Sequence, residues 1–235
     1  MLNRVKRRLR IFFKSWIFLN FHNDKNWLKR TESDAVTGYL KNRNSQSNIF
    51  LQELIENIKW DSLVEVGSNC GNRILEIANL NPNKIIYGLD INLPAVSLGN
   101  SVAKEENITN IEFFQVDLRS SQFSQFITKK TPDCLLSWAT LICVHPLYIK
   151  RFFQTVCNSS IKTIILIEQH ESKLKTGLTF RGVVSGGSGN WKRNYVKIIQ
   201  RYSADPWSIK IMDVPPSVWN PGGGHGRVLL ARKLS

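Results

Sequence analysis

Val64-Glu65-Val66-Gly67-Ser68-Asn69-Cys70-Gly71-Asn72 is the stretch on which the fold turns. A short apolar run from Ser62 to Val66 gives way to two glycines, and from Asn72 to Leu80 the apolar residues return at helical spacing. The segment therefore reads as strand, tight turn, helix. Gly67 permits the sharp turn, Gly71 removes a side chain where a ligand would meet the backbone, and the helix offers free N–H groups beyond it. Nineteen residues past Gly71 the next strand, Lys84 to Leu89, ends at Asp90, a carboxylate placed to accept both hydroxyls of a ribose. Together these predict a nucleoside-bearing cofactor at the crevice of an open sheet. A G-x-G-x-x-G dinucleotide turn fits poorly, because Asn69 and Asn72 stand at its second and third glycine positions.

Outward from this turn the chain keeps alternating. Ser47 to Ile58 is an amphipathic helix through Ile49, Phe50, Leu51, Leu54, Ile55 and Ile58, and Pro94 opens another helix where proline is tolerated. Ile111 to Val116, Cys134 to Trp138 and Lys162 to Ile167 read as strands, with a helix from Pro146 to Cys157 between the last two. Such alternation predicts a parallel sheet covered by helices on both faces. After the fifth strand, residues 171–190 are rich in Gly, Ser and Lys; Trp191 to Tyr202 reads as a helix and Trp207 to Val214 as a sixth strand. A Pro/Gly run from Pro215 to Gly226 then leads into a last strand, Arg227 to Arg232. The expected class is α/β, a mostly parallel seven-stranded sheet, with residues 1–46 as a basic amphipathic arm and 47–235 as the folded domain.

The motif residues resemble those of the class I S-adenosylmethionine-dependent methyltransferases, whose first motif is an acid followed by G-x-G-x-G and whose next strand ends in another acid. The resemblance spans residues 47–170 and implies a Rossmann-like methyltransferase fold with S-adenosyl-L-methionine as cofactor. Position by position it implies that Glu65, Gly67 and Gly71 form the first motif, with Asn69 in place of the middle glycine. Asp90 matches the ribose-binding acid, and Ile91 stands where the family packs the adenine. Asp117, followed by Leu118, matches the acid that receives the adenine amino group; alternatively it caps a helix near Ser120 and Ser121. Asp133 to Trp138 resembles the fourth motif and brings Ser137 into the cofactor-binding set. Asn194 to Lys197 and His225 to Leu229 look like segments of methyltransferases found with bacterial surface-sugar pathways.

Methyl transfer from a sulfonium needs in-line placement and exclusion of water, not a covalent nucleophile. A hydroxyl acceptor gains from a base at the carboxyl edge of the sheet. His145 follows the fourth strand and His170 the fifth, and Glu168 is placed to orient or replace His170. Each histidine is equally a structural, hydrogen-bonded residue. Gly182 to Gly189 has the composition of a lid, flanked by Lys173, Lys175, Arg181, Lys192 and Arg193, which form either an anion pocket or a solvated basic loop. Trp219, Gly223, Gly224 and His225 in the final loop are secondary candidates.

The 235 residues carry 32 Lys and Arg against 18 Asp and Glu, a net charge of +14, which attracts an anionic partner. With 42% hydrophobic side chains the chain buries a core without staples, so disorder and mini-protein scaffolds are excluded. The charge is regional: residues 1–30 hold nine basic side chains and one acid, Asp24. Val5, Leu9, Phe12, Phe13, Trp16 and Ile17 recur there at helical spacing, the pattern of a helix lying on anionic headgroups through residues 1–20. An arm packed on the domain or a second subunit, or an organelle transit peptide, are the other readings. The four cysteines form no C-x-x-C pair and no metal-ligand spacing is present, which fits a reduced cytoplasmic setting, soluble or peripheral at the inner face of a membrane. The expected function is transfer of a methyl group to a small-molecule, glycan or lipid-linked acceptor, anionic and methylated on a hydroxyl. RNA methylation is the alternative favoured by +14, although no RNA-binding appendage and no N-P-P-Y motif stands in the chain. A non-catalytic adaptor on the same fold is the third reading.

Overall fold

The computed structural model describes residues 45–174, 182–184, 190–219 and 226–234, together with Gly38 and Leu40. The basic segment 1–37, Lys175, Arg181, Gly223, Gly224 and His225 lie outside the described residues. In chain order the elements are α1 (Gln46–Glu56), β1 (Ser62–Val66), α2 (Ile74–Leu80), β2 (Ile85–Asp90), α3 (Leu93–Glu105), β3 (Ile111–Gln115) and α4 (Ser121–Lys130). Then come β4 (Cys134–Trp138), a 3-10 turn (Leu141–Cys143), α5 (Pro146–Cys157), β5 (Thr163–Glu168), β6 (Val183–Val184), β7 (Trp191–Lys192), α6 (Tyr195–Tyr202), β8 (Trp207–Asp213) and β9 (Arg227–Lys233).

Seven strands form one sheet in the order β3-β2-β1-β4-β5-β9-β8, and β6 and β7 form a separate two-stranded hairpin. β1 to β5 pair in parallel, while β9 runs antiparallel to both β5 and β8. The expected mostly parallel seven-stranded sheet is what forms. Alternate residues of the strands feed two cores. Val64, Val66, Ile164 and Leu166 pack under α4, α5 and α6 through Phe123, Phe152 and Ile198. Leu63, Ile165 and Ile167 pack under α1, α2 and α3 through Leu51, Leu75 and Val96. Strands buried on both faces read as unbroken apolar runs, which is why β1, β4 and β5 were visible in the sequence. Phe113 of edge strand β3 fills a hollow that three glycines leave open: a Cβ at Gly71, Gly88 or Gly99 would meet its ring. Asn100 pairs both its amide groups with the Phe113 backbone, at 3.0 Å each, and so blunts that sheet edge.

Three expectations are corrected. Helix α2 starts at Ile74 instead of Asn72: Leu75 N donates to Gly71 O (2.9 Å), while the Asn72 carbonyl accepts from Asn48 Nδ2 (3.0 Å). Trp191 and Lys192 are strand, pairing with Val184 and Val183, and α6 starts only at Tyr195, with Asn194 accepting from the Lys197 N–H at its cap. Part of the supposed lid is therefore hairpin, and residues 185–189 lie outside the described residues. Helix α4, raised in the sequence only as the alternative reading of Asp117, forms with Ser120 as its cap and Phe123, Phe126 and Ile127 at helical spacing.

Candidate active site

β1 has β2 on one side and β4 on the other, so the chain leaves its carboxyl end at the point where the strand order reverses. The turn is stapled to β2: Gly67 N and Ser68 N both donate to Leu89 O, at 2.7 and 3.0 Å. Asn69 sits at φ 52° between Gly67 and Gly71, also at positive φ, and asparagine tolerates that region through a local bond, here Cys70 N to its Oδ1 at 2.7 Å. A Cβ at Gly67 would overlap the Thr140 side chain, and one at Gly71 the Phe113 ring. Both glycines thus answer to interior packing, where the sequence had suggested a ligand's approach at Gly71.

Asp90 closes this turn from β2. Its Oδ2 accepts from Asn69 N (2.8 Å) and its Oδ1 from Asn92 N (2.9 Å). Burial raises its pKa, against these backbone bonds. A carboxylate has about four lone-pair sites, so both oxygens keep capacity for further donors. Glu65, on β1, is 1% exposed, and neither of its oxygens meets a hydrogen-bond donor among the described residues. Arg73 Nη1 stands 3.9 Å from its Oε1, with the guanidinium 4.6 Å above the Trp138 ring. Burial pushes the Glu65 carboxyl from 4.5 up to about 7; Arg73 opposes the shift and Asp90 adds to it.

Ile91 and Leu118 are half-buried beyond the adjacent ends of β2 and β3, where Asp90 stands opposite Gln115 in register. Asp117 is held bidentately by Arg119, Nε to Oδ1 at 2.8 Å and Nη2 to Oδ2 at 2.7 Å, and also accepts from Arg119 N. Burial works to raise its pKa, but the Arg119 bonds and charge prevail and lower it. The cap of α4 is Ser120, whose Oγ accepts from Gln122 N, so Asp117 is not the helix cap.

Across the crevice, Ser137 is wholly buried and donates to Glu168 Oε1 at 2.7 Å. The same oxygen accepts from Thr140 N (3.0 Å) and Leu141 N (2.9 Å), and Oε2 accepts from Ile142 N (3.1 Å). Glu168 ties β4 through Ser137 and anchors the turn after β4 through the other three bonds. Burial raises its pKa, against the Ser137 and backbone bonds and the charge of Arg193. Arg193 grips the other side of that turn: fully buried, it donates from Nη1 to Leu141 O and from Nη2 to Val144 O. Its guanidinium is therefore a structural clamp and not part of a surface anion pocket.

His145 caps α5, its Nδ1 accepting from Leu147 N (3.3 Å), and its ring meets Trp191 edge-on at 5.2 Å. His170 Nδ1 accepts from Tyr195 N (3.3 Å), and its ring lies 27° from that of Tyr195. Burial lowers the His170 pKa; Glu171 opposes and Arg227 assists. Glu65, Asn69 and Asp90 thus gather at the ends of β1 and β2, while Ser137, Glu168 and His170 gather at β4 and β5. Thr140, Arg73 and Tyr195 are site residues that the sequence reading passed over, and no spacing in the chain announces them. Among the described residues no group of three His, Cys, Asp or Glu is arranged to hold a metal, and the four cysteines are free thiols.

No family model matches the chain. The tRNA (guanine-N(7)-)-methyltransferase of Campylobacter jejuni (strain RM1221) is 34% identical over 67 residues, 28% of this chain. The match spans only 17% of that relative's length. Magnesium protoporphyrin IX methyltransferase from Synechocystis PCC 6803 with bound SAH superposes with TM-score 0.58 at 15% identity, covering 94% of each chain. The methyltransferase domain of bacterial CtHen1 gives TM-score 0.59 at 14% identity over 81% of this chain and 98% of that one. The cyclase SpnF gives 0.58 at 15% identity, over 79% of this chain and 81% of its own. At these identities the likeness is one of fold, and a fold of this kind carries more than one chemistry. In strand order, in the glycine turn after β1 and in its structural neighbours, the chain has the Rossmann-like fold of the class I S-adenosylmethionine-dependent methyltransferases.

Proposed function

We propose that this chain is an S-adenosylmethionine-dependent methyltransferase acting on an oxygen of a small-molecule, glycan or lipid-linked acceptor. The observation that carries the reading is Asp90 at the strand-order reversal, tied to Asn69 N in the glycine turn while both its oxygens keep room for more donors. The residues present fit the cofactor. Asp90 would take the ribose hydroxyls, Ile91 and Leu118 would flank the adenine, and Asp117 would reach its amino group on release from Arg119. Glu65 supplies a buried carboxyl without a hydrogen-bond donor among the described residues, suited to the positive amino end of the methionine. When bound, the cofactor supplies a methyl group already electrophilic on a sulfonium. The chain's own part is to hold the acceptor in line and keep water out, with Glu168 and Arg193 fixing the turn at residues 140–144 that walls the crevice.

A second reading, methylation of RNA, rests on the 67-residue match to a tRNA methyltransferase and on the net charge of +14. The basic arm, residues 1–46, would hold the enzyme at an anionic surface under the first reading. Calorimetry with S-adenosylmethionine and S-adenosylhomocysteine tests the shared core. Saturable binding is expected, weakened about tenfold or more in Asp90→Ala through loss of charge-assisted bonds. No binding of either compound to the folded protein would sink the reading. Mass spectrometry of extracts incubated with labelled donor then separates a methylated sugar or lipid from methylated RNA.

A further inference from the structure

We propose that the groove between α4 and α5 seats the ribose edge of an RNA strand whose phosphates lie along the basic rims of that groove. The inference stands apart from the methyl-transfer reading. Thr131 and Ser160 on the groove walls come just before β4 and β5, at the amino edge of the parallel strands, whereas the crevice lies at their carboxyl edge. The helices on the two faces of the sheet differ in charge. α1, α2 and α3 hold Glu53, Glu56, Glu76 and Glu105 against Lys104. α4, α5 and α6 hold Lys129, Lys130, Lys150, Arg151, Lys197 and Arg201 without one Asp or Glu. Lys130 is engaged by Glu112 at 3.4 Å, but Lys129, Lys150, Arg151 and Arg201 are exposed and have no ion-pair partner among the described residues. Such a face gathers a polyanion.

The groove has a volume of about 500 Å³ and is open to solvent. Thr128 of α4, Thr131 at its carboxyl cap, and Gln154 and Thr155 of α5 line it. None of these side chains is hydrogen-bonded within the described residues, so each keeps donors and acceptors for a ligand. Asn158, at the end of the groove, donates to Tyr202 O (3.2 Å) and accepts from Ala204 N (3.1 Å), which draws the carboxyl end of α6, with Arg201, against that of α5. Lys150 and Arg151 stand one helical turn before Gln154 and Thr155 and extend the same face, and Lys129 adjoins Thr128. Cations thus edge a floor of hydroxyls and amides, the mixture that proteins offer to a sugar–phosphate backbone. The floor lies at the carboxyl ends of α4 and α5, where the helix dipoles are negative, so a phosphate is unwelcome there and a ribose is not. The 2′-hydroxyl both donates and accepts, and it is the group that DNA lacks. A bilayer fits this face less well. Among the described residues, Leu147 is the only large apolar side chain exposed on α4, α5 or α6, and it stands at the far, amino end of α5.

The test is lysine acetylation footprinting of the full-length chain, read by mass spectrometry, in the presence of single-stranded oligouridylate, oligodeoxyuridylate or vesicles of anionic lipid. Oligouridylate should protect Lys129 and Lys150 saturably, at concentrations about tenfold lower than oligodeoxyuridylate requires. Lys129→Gln, Lys150→Gln and Arg151→Gln together remove three phosphate contacts. The slope of log affinity for oligouridylate against log salt, followed by fluorescence anisotropy, should then become shallower by about two, at about 0.7 per contact. The three side chains are exposed, so urea unfolding of this variant should match that of the wild type. Gln154→Leu with Thr155→Val should keep the wild-type slope but lower the affinity for oligouridylate to that for oligodeoxyuridylate. Lysines that oligouridylate leaves unprotected, that oligodeoxyuridylate protects equally, or that vesicles protect as well overturn the proposal, and so does an unchanged salt slope in the triple variant. S-adenosylmethionine and S-adenosylhomocysteine are left out throughout, so failure of the methyl-transfer reading would not alter these outcomes.

Discussion

Glu65 keeps a carboxyl where neither oxygen finds a donor among the described residues, and that has a measurable consequence. The unfolded group titrates at 4.5 and the folded one at about 7. Between those values the unfolded chain gives up a proton that the folded chain retains, so stability falls as pH rises through that window and levels off above it. Glu65→Gln removes the cost of ionising a buried acid. The apo variant should therefore gain on the wild type by about 2 kcal/mol between pH 5 and pH 8, measured by urea unfolding at each pH. If the positive end of the cofactor needs this charge, the same variant binds S-adenosylmethionine more weakly at pH 8 even as it becomes more stable. A variant whose stability gap is flat with pH would show that Glu65 is already ionised in the folded protein.

At the scale of elements, the turn between β4 and α5 is clamped by opposite charges from two distant segments. Glu168 takes three of its N–H groups and Arg193 two of its carbonyls. Removing either side chain leaves the buried backbone groups it holds without a partner, at a cost of about 1–3 kcal/mol for each group. Arg193→Met should lose stability on that scale in urea unfolding, and Glu168→Gln combined with it should lose less than the sum of the two. Strict additivity would mean that the two side chains hold the turn independently. This clamp also marks the limit of what the sequence disclosed. β1, β4 and β5 are legible because both their faces are apolar, and Asp90 is legible because it ends a strand. Arg193 sits in the basic run Lys192-Arg193 and reads as solvated, yet it is wholly buried. Glu168 reads as an acid–base candidate, yet it spends its lone pairs on backbone N–H groups. Long-range backbone bonds of this kind leave no periodicity in the chain, and the same is true of the Asn48 bond to the Asn72 carbonyl.

Over the whole molecule, charge is divided between a strongly basic first segment and a sheet domain whose candidate site is built from carboxylates. Among the described residues no helix is long and apolar enough to cross a membrane. Removing residues 1–37 should abolish sedimentation of the protein with liposomes containing anionic lipid, while the affinity for S-adenosylhomocysteine stays within about twofold, since the Asp90 turn is untouched. Ionic strength then separates the two acceptor classes. An RNA acceptor gripped through six or more phosphates loses about a thousandfold in affinity between 50 and 200 mM salt, because each contact releases a condensed counterion. A small acceptor has no such counterion sheath, and its apparent KM should change by only about threefold over the same range. A steep slope with the arm intact and a shallow one after its removal would place the nucleic-acid contacts in residues 1–37. A steep slope in both would move them to the basic groups around β7 and α6, Lys192, Lys197 and Arg201, and would favour RNA over the small acceptor.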